Sequence, residues 1–132
     1  MTGVCFVVAG AAAGYLATAE FTLAWRHSVE HTRWEERYRI EGARLRLVEA
    51  SVEGTGAGME PPPGARLTAG RWRWRPPASV HDELRLTTSG YTADYDVCVA
   101  QRCTPLASLV APAHADVVVV RACDGKASPR GR

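Results

Sequence analysis

From Glu20 onward, hydrophobic and polar side chains alternate with a period of two. Phe21, Leu23, Trp25 and His27 share one face of an extended segment, and Trp34, Glu36, Tyr38 and Ile40 share a face of the next. Joined by a loop over residues 29–32, the two predict an antiparallel hairpin with His27 opposite Trp34, Trp25 opposite Glu36, Leu23 opposite Tyr38 and Phe21 opposite Ile40. That register gathers ring and aliphatic partners on one face and leaves Arg37 and Arg39 outward. The same alternation predicts strands around Leu45 and Leu47 with a continuation through Ala50 to Val52, around Trp72 and Trp74, around Leu84 and Leu86, around Tyr95 and Val97, and over residues 117–120. Gly42, Gly70 and Ser89-Gly90 supply turn signals between them. The expected fold is all-β, a small antiparallel barrel or sandwich of about six to eight strands cored by Trp25, Trp34, Trp72, Trp74, Leu and Val. It occupies residues 20–123 as a single domain, with a flexible tail over 124–132.

Ahead of these strands the pattern changes. Residues 1–19 carry no charged side chain, and Val4 to Ala19 form an apolar run containing Gly10 and Gly14. Ala17-Thr18-Ala19 presents the small residues that signal peptidase reads, and Glu20 opens the charged remainder. An exported chain cleaved after Ala19 is the preferred reading, which makes the protein extracytoplasmic, secreted or periplasmic. Met1-Thr2-Gly3 lacks the usual Lys or Arg, so an uncleaved N-terminal anchor and a buried cytoplasmic segment stay open. The run is shorter than the roughly 20 residues that span hydrocarbon, and membrane contact is expected only through this segment if it is retained. Cys5 lies at the front of the run and not after it, so it is not a lipoprotein cysteine.

The chain has 132 residues, 46% of them hydrophobic and 23% charged, which suits one small core and excludes wholesale disorder or a multi-span membrane protein. Rossmann enzymes, (β/α)₈ barrels and complete solute-binding proteins need roughly 200 residues or more. The 16 basic residues, all Arg except Lys126, are interleaved with 14 acids for a net charge of +2. A nucleic-acid partner is therefore not expected, because that affinity needs basic charge gathered on one surface. Cys98 and Cys103 frame Val99-Ala100-Gln101-Arg102, a hairpin loop that sets them opposite each other for a disulfide worth about 2 kcal/mol. Cys123 is then either a free buried thiol or the partner of one of those two. No C-x-x-C spacing is present, and no metal or other cofactor is expected.

Four motifs bear on chemistry. Arg71, Arg73 and Arg75 alternate with Trp72 and Trp74; a stacked ladder of this kind binds sugars or nucleic acid, but a half-buried strand with a solvated Arg face is the simpler reading. Gly54, Gly56 and Gly58 precede Met59-Glu60 and a run of prolines without any dinucleotide or P-loop fingerprint, which favours a structural loop over an anion-binding nest. His27-Ser28-Val29-Glu30-His31 matches the H-x-x-E-H zinc pattern, yet that chemistry needs a helix and the flanking residues alternate as strands. His27 and Glu36 are brought near each other by the expected hairpin, where a polar pair that fixes register outweighs an acid/base or ligand-holding pair. No G-x-S-x-G elbow or nucleophile triad appears.

Five segments together carry a resemblance: His27-Ser28-Val29-Glu30, Trp34-Glu35-Glu36, the stretch from Gly54 through Gly56-Ala57-Gly58-Met59-Glu60 to Pro63, Trp72 with Trp74, and Ser89-Gly90-Tyr91-Thr92-Ala93-Asp94-Tyr95. Over residues 20–123 the chain resembles the bacterial domain of unknown function family 1850. The resemblance implies a small exported protein, encoded near TRAP-type transporters of the TAXI class, with an accessory role in that uptake and with transporter components or their solute as partners. His31 stands outside the family's pattern.

The reading that unites these features is a non-enzymatic extracytoplasmic accessory or binding protein. Its recognition surface is expected to include His27, Glu30, Glu36, Gly56, Gly58 and Glu60, with Tyr91 and Asp94 completing a pocket. A small enzyme using His27 and Glu36 as an acid/base pair is the alternative from another class, and a purely structural envelope protein is the third. If His27 and Glu36 open into a concave pocket with Tyr91 and Asp94, binding or catalysis gains; if they are sealed beneath the tryptophans, the structural reading wins.

Overall fold

The structure is a computed structural model that describes residues 2–26, 32–54, 62–77, 79–87, 95–113 and 116–124. Among these the chain forms twelve strands and one short helix: β1 (Thr2–Val8), β2 (Ala11–Leu16), β3 (Glu20–Arg26), β4 (Arg33–Glu41), β5 (Arg44–Glu53), β6 (Arg66–Thr68), β7 (Arg71–Trp74), β8 (Ser79–His81), β9 (Leu84–Thr87), β10 (Asp96–Val99), β11 (Arg102–Pro105), α1 (Leu106–Val110) and β12 (Val117–Asp124). They build a four-stranded sheet in the order β2-β1-β12-β9 and an eight-stranded sheet in the order β11-β10-β3-β4-β5-β7-β6, with β8 also paired to β5. The two sheets share one core. Val4, Phe6, Val118, Val120, Leu84 and Leu86 come from the first, and Phe21, Leu23, Tyr38, Leu45 and Val97 from the second. Each large side chain sealed there contributes roughly 1.5–3 kcal/mol.

The alternation read from residue 20 onward holds, but the count and closure do not. Neither sheet closes into a barrel. The strands exceed the expected six to eight because β6 and β8 are three residues long, too short to show a period, and because residues 2–16 are themselves strands. That apolar segment, read as a signal or anchor, supplies β1 and β2 here, and no helix among the described residues is long and apolar enough to cross a membrane. An uncharged run rich in Ala and Val can bury itself in protein as readily as in lipid. β1 does so between β2 and β12, with every residue from Gly3 to Val8 buried. Of the expected tail, Asp124 closes β12 and residues 125–132 lie outside the described residues.

The β3–β4 hairpin forms with its register moved by two residues. Trp25 stands opposite Trp34, Leu23 opposite Glu36, and Phe21 opposite Tyr38. Because side chains alternate, a shift of two keeps every residue on its expected face while changing its partner. Like rings meet as a result: Phe21 stacks on Tyr38 at 5.5 Å and Trp25 on Trp34 at 6.4 Å between centroids. On β5, Leu45 and Leu47 face inward at odd positions and Ala50 and Val52 at even ones. A β-bulge at Val48 absorbs the extra residue where the pairing with β4 shifts. The long edge of β5 carries two short strands end to end, β7 along Ala50 to Glu53 and β8 along Leu45 to Leu47.

Cys98 and Cys103 are directly opposite in the β10–β11 hairpin and are disulfide-bonded. Its turn is only Ala100-Gln101, both at positive φ, as the type I′ class requires. Cys123 is neither free nor joined to that pair; it bonds to Cys5, because β12 lies against β1 and brings the two within a Cα separation of 5.9 Å. α1 packs against β1, β2 and β11 and delivers Leu106 and Val110 to the core. It approaches so closely that a Cβ at Gly14 on β2 would run into the Leu109 carbonyl, a backbone atom that cannot swing aside. Gly14→Ala is therefore expected to lower stability by about 1–3 kcal/mol, read as a drop in the urea midpoint with unchanged slope.

Candidate functional site

The polar groups of the eight-stranded sheet divide by face. On the outer face Arg37 pairs with Glu20 at 3.2 Å and approaches Glu49 at 4.0 Å, which also meets Arg73 at 3.5 Å. Arg33 reaches Glu35 at 3.1 Å and Asp96 at 3.8 Å, and its backbone N–H donates to Glu53. Arg71 donates to Ser51 Oγ and to the Arg33 carbonyl. Arg71 and Arg73 are thus tied into the sheet, while Trp74 turns its edge to Trp34 at 6.3 Å. A cavity of about 520 Å³ at the β6–β7 end of this face is bordered by Arg66, Arg73, Arg75 and Glu49.

Between the sheets a second cleft of about 340 Å³ opens. Its walls combine Trp25, Tyr38 and Tyr95 with Leu84 and Leu86 of β9, and its polar groups are Glu36, His81, Glu83 and Arg85. The alternation of β4 places Glu36 on the inward face between Trp34 and Tyr38. Its carboxylate accepts a hydrogen bond from Tyr38 Oη at 2.8 Å. The pairing of β8 with β5 sets His81 opposite Leu45, edge-on to Tyr38 with centroids 6.3 Å apart, and its Nε2 is hydrogen-bonded to Ser79 Oγ at 2.9 Å. Tyr95 meets Trp25 at 5.6 Å. Arg85 lies 3.7 Å from Glu83 at the mouth.

Burial raises the Tyr38 phenol far above its ordinary value, and the Glu36 carboxylate adds to the effect by charge and by hydrogen bond. Tyr95 is also raised, by burial first and by the charge of Glu36 second.

Of the residues expected to form the recognition surface, Glu36 is placed, and it lines the inter-sheet cleft beside Trp25. His27, Glu30, Gly56, Gly58, Glu60, Tyr91 and Asp94 lie outside the described residues, as does the whole H-x-x-E-H stretch. Trp25, expected opposite Glu36, is instead its diagonal neighbour, since Leu23 takes the opposite position. Sequence reasoning missed His81 and the polar ends of Tyr38 and Tyr95. In the sequence Tyr38 and Tyr95 show only as apolar positions of strands, and His81 sits on three residues that carry no periodic signal. Among the described residues, no three His, Cys, Asp or Glu side chains converge as a metal-ligand set.

A family model described as a domain of unknown function (DUF1850) matches residues 21–106. That span takes in nearly all of the eight-stranded sheet together with β9, and every residue that lines the inter-sheet cleft. No match was found among curated proteins or among solved structures.

Because the native state holds Tyr38 protonated, its contribution to stability is complete below the ordinary tyrosine value of about 10 and is lost as pH rises beyond it. In an absorbance titration the Tyr38 phenol is expected to ionise only as the chain unfolds in alkali. In Glu36→Gln the native phenol should stay raised, but by less, so less of the stability should be lost per pH unit in alkali, since burial is the larger cause and remains.

Proposed function

The chain belongs to the DUF1850 family, and from that premise we propose that it is an extracytoplasmic, non-enzymatic accessory protein that binds a small ligand in the cleft between its sheets. The observation that carries this reading is the makeup of the cleft. Rings on several walls and a few converging polar groups enclose a volume within the range of small-molecule sites. Binding is favoured over proton transfer because the carboxylate of Glu36 is engaged by a phenol held protonated, a poor arrangement for moving protons near neutral pH. The resemblance to a family encoded beside TRAP-type transporters supports uptake as the setting, with the transported solute or a transporter component as what is bound. His27, Glu30, Gly56, Gly58, Glu60, Tyr91 and Asp94 belong to the same proposal, as residues of segments that join cleft strands or precede β6.

Two disulfides support an oxidising compartment. On this reading residues 1–19 direct export and stay in the folded chain as β1 and β2, because the Cys5–Cys123 bond requires them. The test is the intact mass of the chain recovered from the periplasm, together with the pairing state of Cys123. A chain that keeps residues 1–19 is expected to carry the Cys5–Cys123 bond, and a mass corresponding to cleavage after Ala19 would show Cys123 deprived of that partner.

A panel of small metabolites screened by thermal shift on the full chain is expected to yield ligands that raise the melting temperature by a few degrees. His81→Ala and Tyr95→Ala should each weaken such a ligand about tenfold while the unliganded protein still melts cooperatively. Binding that survives both substitutions unchanged would place the site elsewhere.

A further inference from the structure

Glu36 is set apart from the other acidic groups of the eight-stranded sheet. Glu20, Glu35, Glu49, Glu53 and Asp96 each lie within 4.0 Å of an arginine nitrogen. Glu36, on the inward face, accepts from the Tyr38 hydroxyl, and among the described residues no cationic side chain pairs with it. Arg85, the arginine that borders the cleft, stands 3.7 Å from Glu83 and is thereby balanced. A carboxylate turned toward a core-side cleft without a counter-charge is costly.

The surroundings of that carboxylate are aromatic. Along β4 its same-face neighbours are Trp34 and Tyr38, each roughly 7 Å away along the strand, and across β3 its diagonal neighbour is Trp25, with Tyr95 tilted against that ring. Trp25, Tyr38 and Tyr95 line the cleft together with Glu36, so a positive group paired with that carboxylate sits beside aromatic surface, which attracts cations over a range of about 6 Å. An anion there would meet Glu36 and the negative faces of the rings at once.

We propose that the cleft takes an organic cation, a small molecule whose ammonium group pairs with Glu36 while its apolar body lies against Trp25, Tyr38, Tyr95 and the β9 leucines. The inference rests on the cleft being the ligand site, and it names the charge class that site selects. Glu36 supplies the ion pair, the rings supply the cation–π contact, and Leu84 and Leu86 supply the apolar floor.

The test uses three probes of nearly equal shape on the full chain: benzylammonium, benzyl alcohol and benzoate, titrated at pH 7 and followed by calorimetry and by the NMR shift of the Trp25 indole. Benzylammonium is expected to bind about tenfold more tightly than benzyl alcohol, with benzoate weakest. In Glu36→Gln, which keeps an acceptor for the Tyr38 hydroxyl, the preference for the ammonium should vanish while benzyl alcohol still binds. The wild-type comparison decides the matter even if that variant fails to fold. If benzyl alcohol or benzoate binds at Trp25 as tightly as benzylammonium, the cation assignment is wrong and the cleft stands as a binding site. If none of the three moves the Trp25 indole at millimolar concentration, the cleft itself is wrong and the cation assignment falls with it.

Discussion

Trp25 lies flat against Trp34, and Phe21 against Tyr38, where β3 meets β4. Stacked pairs of this kind are worth about 0.5–1.5 kcal/mol each beyond the area they bury, enough to choose between registers that differ by two residues and preserve the same faces. With that register set, Leu23 and Glu36 stand opposite each other and Arg37 comes within reach of Glu20 on the other side. A slip by a single residue would turn the arginines of β4 into the core and the rings into water. The polar cleft and the charged face thus depend on one choice of ring partners.

The two faces of the large sheet use charge differently. Outside, carboxylates and arginines alternate across β3, β4, β5 and β7, and most of the pairs are half-exposed, so each contributes little alone. Arg71 is the exception, with its side chain only 15% exposed, and it hydrogen-bonds to Ser51 on the adjacent β5 and to the Arg33 carbonyl on β4 beyond it. Inside, the Glu36 carboxylate stands among rings. Its effect is felt by both Tyr38 and Tyr95, whose phenols burial alone would already have raised. Opposite-sign pairs largely neutralise the outer face, whereas on the inner face no cationic side chain among the described residues pairs with Glu36.

The small sheet depends on the N-terminal segment. β1 occupies an interior position, contributes Val4, Phe6 and Val8 to the core, and is bonded through Cys5 to β12 at the far end of the chain. Residues 2–16 thereby complete the wall that faces the large sheet and the seat of α1. The family match begins at residue 21, after this segment, and ends at residue 106, before β12. The cleft lining falls inside the match, and three of the four strands of the small sheet fall outside it.

The all-β character, the faces of β3, β4, β7, β9 and β10, and the pairing of Cys98 with Cys103 were legible because each depends on local alternation or on a spacing of a few residues. A resemblance confined to short motifs likewise identified the family. What the sequence could not reveal is everything that depends on which distant strands become neighbours. An apolar run has the same composition whether it enters a membrane or a sheet, so β1 and β2 were hidden. Cys5 and Cys123 are 118 residues apart and meet only because β1 and β12 pair. His81 reaches the cleft only because β5 is long enough to carry β7 and β8 on one edge. Glu36 was visible as an inward carboxylate from its parity alone, whereas its separation from the described arginines was decided by the packing of the two sheets, since Coulomb energy depends on distances that no local pattern encodes.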